Sequence, residues 1–261
     1  MSFESTPKGA TSLSPITISG HQPGYHMYVG VAAKLLASDL FILADNMDFR
    51  RQKFQHRQLF PSHNQRKWLT IPVARSAHGT SIAQRHIVRT TNWQEDHLAA
   101  IRSGLGGMPH FAEVDDFLTE IYRIPWLTLA DINTALWSHI SKLLRPTVPV
   151  VRSSQLPLRG WTGKGARIAD EISLFGDRGV YLAGAASGYL LLASDCEADK
   201  RHVDVIGEVG FRVEQVWIDS GEWALRSPLP PNASALEAIA AHGVAAVADL
   251  IRECTRLTTI H

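Results

Sequence analysis

Cysteine is almost missing from this chain: Cys196 and Cys254 are the only two, and they lie far apart. That excludes a disulfide framework and a cysteine-based zinc site, since both need several thiols at short spacing. Long apolar runs are missing too, and none approaches the roughly 20 residues that span a bilayer as a helix. No excess charge of one sign exists, because 26 basic residues meet 25 acidic ones for a formal net charge of +1. Such a balance offers no electrostatic footprint for nucleic acid or an anionic membrane surface. No GxSxG nucleophile elbow, Walker lysine, dinucleotide glycine fingerprint or internal repeat is present. The first fifteen residues, MSFESTPKGATSLSP, lack an apolar core. They are expected to form a disordered tail over 1–15, not a signal peptide, which makes the cytoplasm the default location.

What is there is ordinary soluble composition, 45% hydrophobic and 20% charged over 261 residues. The most informative stretch is 17–73. Residues 16–19 are a short β-branched strand that stops at Gly20, and His21-Gln22-Pro23-Gly24-Tyr25 cannot continue it, because proline removes a donor and glycine frees the backbone. Residues 28–37 then carry apolar side chains at helical spacing, with Lys34 on the flank. A second buried strand, DLFILA, ends at Asp45-Asn46. Strand, loop, helix and strand make a βαβ unit with parallel strands, which puts His21 and Asp45 after carboxyl ends, where open α/β sheets bind ligands. Residues 47–66 are polar and basic and read mostly as a solvated loop or helix face, with one or two arginines free to clamp a carboxylate or phosphate. WLTIPV reads as a third strand closed by Pro72.

The middle, about 92–145, has helical periodicity with Pro125 and Pro146 as breaks, and Thr128 to Asp131 is close to a capping box. It reads as a helical insertion or lid over one sheet edge, and the lone His139 there as structural. Strands return at 147–152, 180–183 and 211–218, with helices at 164–175, 234–241 and 244–256. The fold class expected is α/β: a mainly parallel mixed sheet with helices on both faces and a helical insertion, forming one domain over 16–261. A metal site from His21, Asp45 and His56 matches no known ligand spacing, and the segment 184–188 after a strand offers only weak anion-binding character. No metal and no cofactor are expected.

The run His21-Gln22-Pro23-x-Tyr25, with Gly30, Lys34, Ser38-Asp39, Asp45, Phe49, Arg57 and Trp68-Leu69-Thr70-x-Pro72-Val73, resembles the N-terminal signature of the WbqC-like family. Leu129-x-Asp131-x-Asn133, Ser153-Ser154, Tyr181-Leu182-x-Gly184, Tyr189 and Pro231-x-x-Ser234 follow in that family's order. Met27, Asn46, His56 and Gln58 depart from its pattern inside the expected pocket. The resemblance implies an enzyme of bacterial surface-polysaccharide or specialised-metabolite biosynthesis, acting on a small molecule. The leading expectation is transfer of an acyl or aminoacyl group from a carrier-protein or coenzyme A thioester to an amine or hydroxyl. His21 would be the general base, oriented by Asp45, with Lys34 polarising the carbonyl. The substrate-binding set would be Gln22, Tyr25, Asn46, Arg57, Thr70, Ser154, Tyr181 and Tyr189. The rivals are an ATP-dependent nucleotidyltransferase or ligase, a hydrolase or cyclase on a carrier-bound intermediate, and a non-catalytic partner in a biosynthetic complex.

Overall fold

The computed structural model describes residues 15–51, 53–62, 65–159, 163–184 and 196–260. Most of the expected tail (1–14), the glycine-containing segment after Gly184 and Tyr189 lie outside them. In chain order the elements are β1 (Ile16–His21), α1 (Val29–Leu36), β2 (Leu40–Leu43), β3 (Arg57–Ser62), β4 (Gln65–Thr70), α2 (Trp93–Leu105), α3 (Ala112–Arg123), α4 (Leu129–Leu144) and β5 (Val150–Arg152). There follow α5 (Lys164–Ser173), β6 (Gly179–Gly184), α6 (Cys196–Glu208), β7 (Phe211–Ile218), α7 (Ser220–Arg226), α8 (Ala235–His242), α9 (Val244–Cys254) and β8 (Thr255–Thr259).

Six strands form one sheet in the order β5-β2-β1-β6-β7-β8. All neighbours pair in parallel except β7 and β8, which are antiparallel. The fold is therefore α/β with a mostly parallel mixed sheet. Strand β8 was not expected, because TRLTT is polar and largely exposed, with no apolar alternation to mark it. It is an edge strand stitched on by backbone bonds, which need no particular side chains.

The two faces of the sheet bury separate cores. On one, Ile18, Leu40, Ile42, Tyr181, Phe211 and Val213 meet Ile168 and Ile172 of α5 and Ile206 of α6. On the other, Phe41, Leu43, Val180, Leu182 and Val216 meet α1, and behind it α4, α8 and α9. Seven of the eight α1 residues are buried, which is what a helix sandwiched between sheet and further helices requires. Within the expected helical insertion, Ile132, Leu136, Trp137 and Ile140 of α4 belong to the same core as α1 and β2. Two helix starts are closed as their residue types dictate. Thr128 Oγ1 accepts from the Asp131 N–H at 3.2 Å, and Ser234 Oγ accepts from the Glu237 N–H at 3.1 Å.

The third expected strand stands apart from the main sheet. β3 and β4 form a two-stranded antiparallel hairpin, registered Arg57 to Thr70 and Ser62 to Gln65. Residues 57–62 and 65–66 of the stretch expected to be loop or helix face are therefore strand. Its basic side chains hide the alternation, since Phe60 is buried while Arg57, Lys67 and Thr70 are not. Arg66 ties the hairpin to α8 through two 2.8 Å bonds to the buried Glu237 carboxylate.

Candidate functional site

Strand β1 leads through the loop after His21 to α1 on one face, while β6 beside it leads to α6 on the other. Two neighbouring parallel strands whose connections leave in opposite directions open a crevice at their carboxyl ends, the general ligand position in such sheets. The period-two alternation of β1 decides what enters it. Ser19 and His21 point to the α1 face and Gly20 to the other. Ser19 is tied to Ser38 at 2.6 Å, and the His21 ring lies 6.0 Å from Trp137, near-parallel to it, with Tyr28 edge-on at 5.8 Å.

Lys34 rises from α1 into this crevice. It is 2% exposed, and its Nζ donates to the Gly20 carbonyl at 2.5 Å. A Cβ on Gly184, at the end of β6, would lie 3.3 Å from Lys34 Cδ and 3.6 Å from Nζ, so a side chain there would crowd the amine. Burial, followed by the Lys164 cation at the start of α5, lowers the Lys34 pKa from 10.5 to about 7. Burial, then Lys34 and Lys164, pulls His21 down to about 4, against a hydrogen bond with the Gln22 carbonyl that favours its charged form. That 2.8 Å contact to the carbonyl assigns the ring proton to Nδ1, leaving Nε2 as an acceptor. At neutral pH the pair is a neutral imidazole and a half-protonated amine. Next to it, Lys164, Tyr181, Ala183, Gly184 and His202 line a cleft of about 100 Å³.

Asp45 does not orient His21. It is fully buried at the end of β2, and its oxygens accept from Arg152 Nε at 2.6 Å, Ser153 Oγ at 3.2 Å, Ser154 N–H at 2.8 Å and Ser154 Oγ at 2.7 Å. Arg152 continues to Asp131 at 2.8 Å. A buried carboxylate needs such saturation, and here it joins the ends of β2 and β5 to α4. Ser154 belongs to that clamp. The Asn46 N–H donates to Ser153 Oγ at 3.3 Å, and its side chain donates to Glu171, beside the buried Arg167–Glu171 pair. Tyr181 lies on this second face, its hydroxyl 3.7 Å from where a Gly20 Cβ would be, and burial raises its pKa.

The remaining expected residues are elsewhere. Tyr25 is fully buried, its hydroxyl bonded to His97 Nδ1 at 2.8 Å and to the Tyr122 hydroxyl, with His26 on the same Tyr122 oxygen at 3.0 Å. This is a packed polar knot between the His21 loop, α2 and α3. Gln22 accepts from Gln55 at 2.7 Å, Arg57 stacks on Trp68 at 4.1 Å, and Thr70 is exposed on the hairpin. Among the described residues no three His, Cys, Asp or Glu side chains converge as a metal site, and no helix is long and apolar enough to cross a membrane. Lys164 was missed. Its signal was a cation in the first turn of a helix, where the helix dipole disfavours positive charge.

Residues 22–198 match the WbqC-like protein family. The uncharacterized protein Rv1507c of Mycobacterium tuberculosis is 25% identical over 150 residues, covering 57% of this chain and 64% of that protein. No solved structure matches the chain.

Proposed function

The chain belongs to the WbqC-like protein family, and from that premise we propose that it is a biosynthetic group transferase, moving an acyl or aminoacyl group from a thioester donor to an amine or hydroxyl acceptor. One observation carries the reading: a buried lysine amine with a pKa of about 7, held at the switch point of the sheet beside a neutral histidine. A general base works best when its pKa is near the working pH, and burial beside a second cation is how a lysine reaches that range. The geometry therefore favours Lys34 over His21 as the base, reversing the roles expected from the motif.

In this mechanism the acceptor N–H or O–H lies between Lys34 Nζ and His21 Nε2. As the acceptor attacks the thioester carbonyl carbon, its proton passes to neutral Lys34. The new oxyanion faces the Lys164 ammonium at the mouth of the cleft. Collapse breaks the carbon–sulfur bond, and the proton held by Lys34 goes to the departing thiolate. No covalent enzyme intermediate is required, and atoms and charge balance. The test is incubation of the protein with acyl and aminoacyl thioesters and a panel of amines and alcohols, followed by mass spectrometry. Product formation that disappears in Lys34→Met supports the reading. Absence of product with every donor, or full turnover in Lys34→Met, refutes it.

A further inference from the structure

A second concavity lies beyond the loop after β2, walled by 48–51 on one side and 75–79 on the other, with Arg85 at its base. It holds about 560 Å³, a volume suited to a small molecule. Arg50, Arg51, Arg75 and Arg85 line it against one carboxylate, Asp48. None of the four arginines pairs with a carboxylate among the described residues. Four guanidinium groups facing a single carboxylate repel one another, and an anion between them would relieve that repulsion.

Arg85 shows that the cavity is built for this. It is 7% exposed, its guanidinium lies 4.2 Å above the Phe49 ring, and one terminal nitrogen donates to the Ala74 carbonyl at 3.0 Å. Its Nε is buried with no hydrogen-bond partner. Held by the ring and the carbonyl, this guanidinium keeps a fixed positive charge at the floor of the cavity. The walls are also fixed. The Phe49 N–H donates to the Thr80 carbonyl at 2.9 Å, and the 77–80 turn closes with Thr80 Oγ1 on the Ala77 carbonyl at 2.8 Å. Gly79 at the rim has φ +77 with open space where a Cβ would be, so backbone leaves the mouth clear. Gln55 joins this wall to the crevice: it accepts from the Arg50 N–H at 2.6 Å, donates to the Asp48 carbonyl at 3.2 Å, and donates to Gln22, next to His21.

We propose that this arginine-lined cavity binds the diphosphate group of a small molecule. Two linked phosphates offer enough oxygens to engage several planar guanidinium forks at once, which a single carboxylate does not. The identification of that molecule as the transfer donor rests on the group-transfer reading; the binding site itself does not. The experiment is calorimetric titration of the full chain with inorganic pyrophosphate, then competition by coenzyme A and by adenosine diphosphate to separate the sources of the phosphates. Saturable one-to-one pyrophosphate binding is expected. It should weaken about tenfold or more in each of Arg51→Gln and Arg75→Gln, whose side chains are exposed and whose loss leaves the fold intact. Arg85→Gln should abolish it, with circular dichroism to check folding. Binding should also fall with added salt. No saturable pyrophosphate binding, or binding unchanged in both Arg51→Gln and Arg75→Gln, overturns the proposal. Binding retained by Lys34→Met with turnover lost would separate this site from the chemistry at the crevice, so failure of either conclusion is seen by itself.

Discussion

Replacing Lys34 with methionine tests the central physical claim, and its effect on stability can be worked out beforehand. The amine falls from 10.5 to about 7 on folding. At about 1.4 kcal/mol per unit, holding it charged in place costs on the order of 5 kcal/mol. At pH 7 the unfolded chain carries the proton fully and the folded chain about half, which leaves roughly 4 kcal/mol acting against folding. Methionine removes that cost and fills similar space, but leaves the Gly20 carbonyl without its donor, about 1–2 kcal/mol. Lys34→Met should therefore be more stable than the wild type by about 2–3 kcal/mol near pH 7. The pH dependence has a definite sign. Between the folded pKa near 7 and the unfolded 10.5, the unfolded chain binds more protons, so wild-type stability rises with pH. The advantage of the variant should shrink across that window and stay level below it. Urea denaturation of both proteins near pH 7 and about pH 9.5 measures this. A variant less stable than wild type at both values, or a gap that does not change with pH, would refute the argument that burial neutralises Lys34.

Thioester turnover should rise about tenfold per pH unit below 7 and level off above it, following neutral Lys34, and a flat profile between about pH 6 and 8 would contradict a base of that pKa. Gly184→Ala places a methyl group 3.3 Å from Lys34 Cδ, so kcat should fall while the denaturation midpoint moves little. Asp45→Asn weakens the clamp on Arg152 and Ser154 and should cost about 3 kcal/mol by denaturation. Tyr25→Phe breaks the buried bonds to His97 and Tyr122, and should cost about 1–3 kcal/mol in stability with kcat unchanged; a large loss of kcat would return Tyr25 to the site.

The βαβ unit was legible because its pattern is local. A β-branched run stops at Gly20, Pro23 and Gly24 forbid continuation, and the helix and second strand follow at regular spacing. The hairpin was half legible: WLT reads as a strand, but its partner RQLFPS carries Arg57, Gln58 and Pro61 and looks like loop. Strand β8 was illegible, since an exposed edge strand needs only backbone partners. Within the site, the position of His21 came from the motif, whereas Asp45 was assigned the wrong neighbour. Adjacent strand ends suggest a shared pocket, yet Arg152 and Ser154 reach Asp45 from more than a hundred residues downstream and occupy its oxygens.

The order of residues by itself determined the βαβ unit, the helices and which side chains follow a strand end, though not β3 or β8, because propensity and periodicity act over a few neighbours. It also determined family membership, through the motif in 21–73. Tertiary structure alone decided which groups carry charge. Lys34 is an ordinary lysine on paper, and its proton affinity falls only when sheet, α1 and the distant Lys164 exclude water around it. The same holds for Arg85: nothing nearby in the chain marks it, and only the folding of two loops around Phe49 leaves its guanidinium buried with a donor to spare. Desolvation and Coulomb interaction depend on distance in space, which sequence separation does not specify.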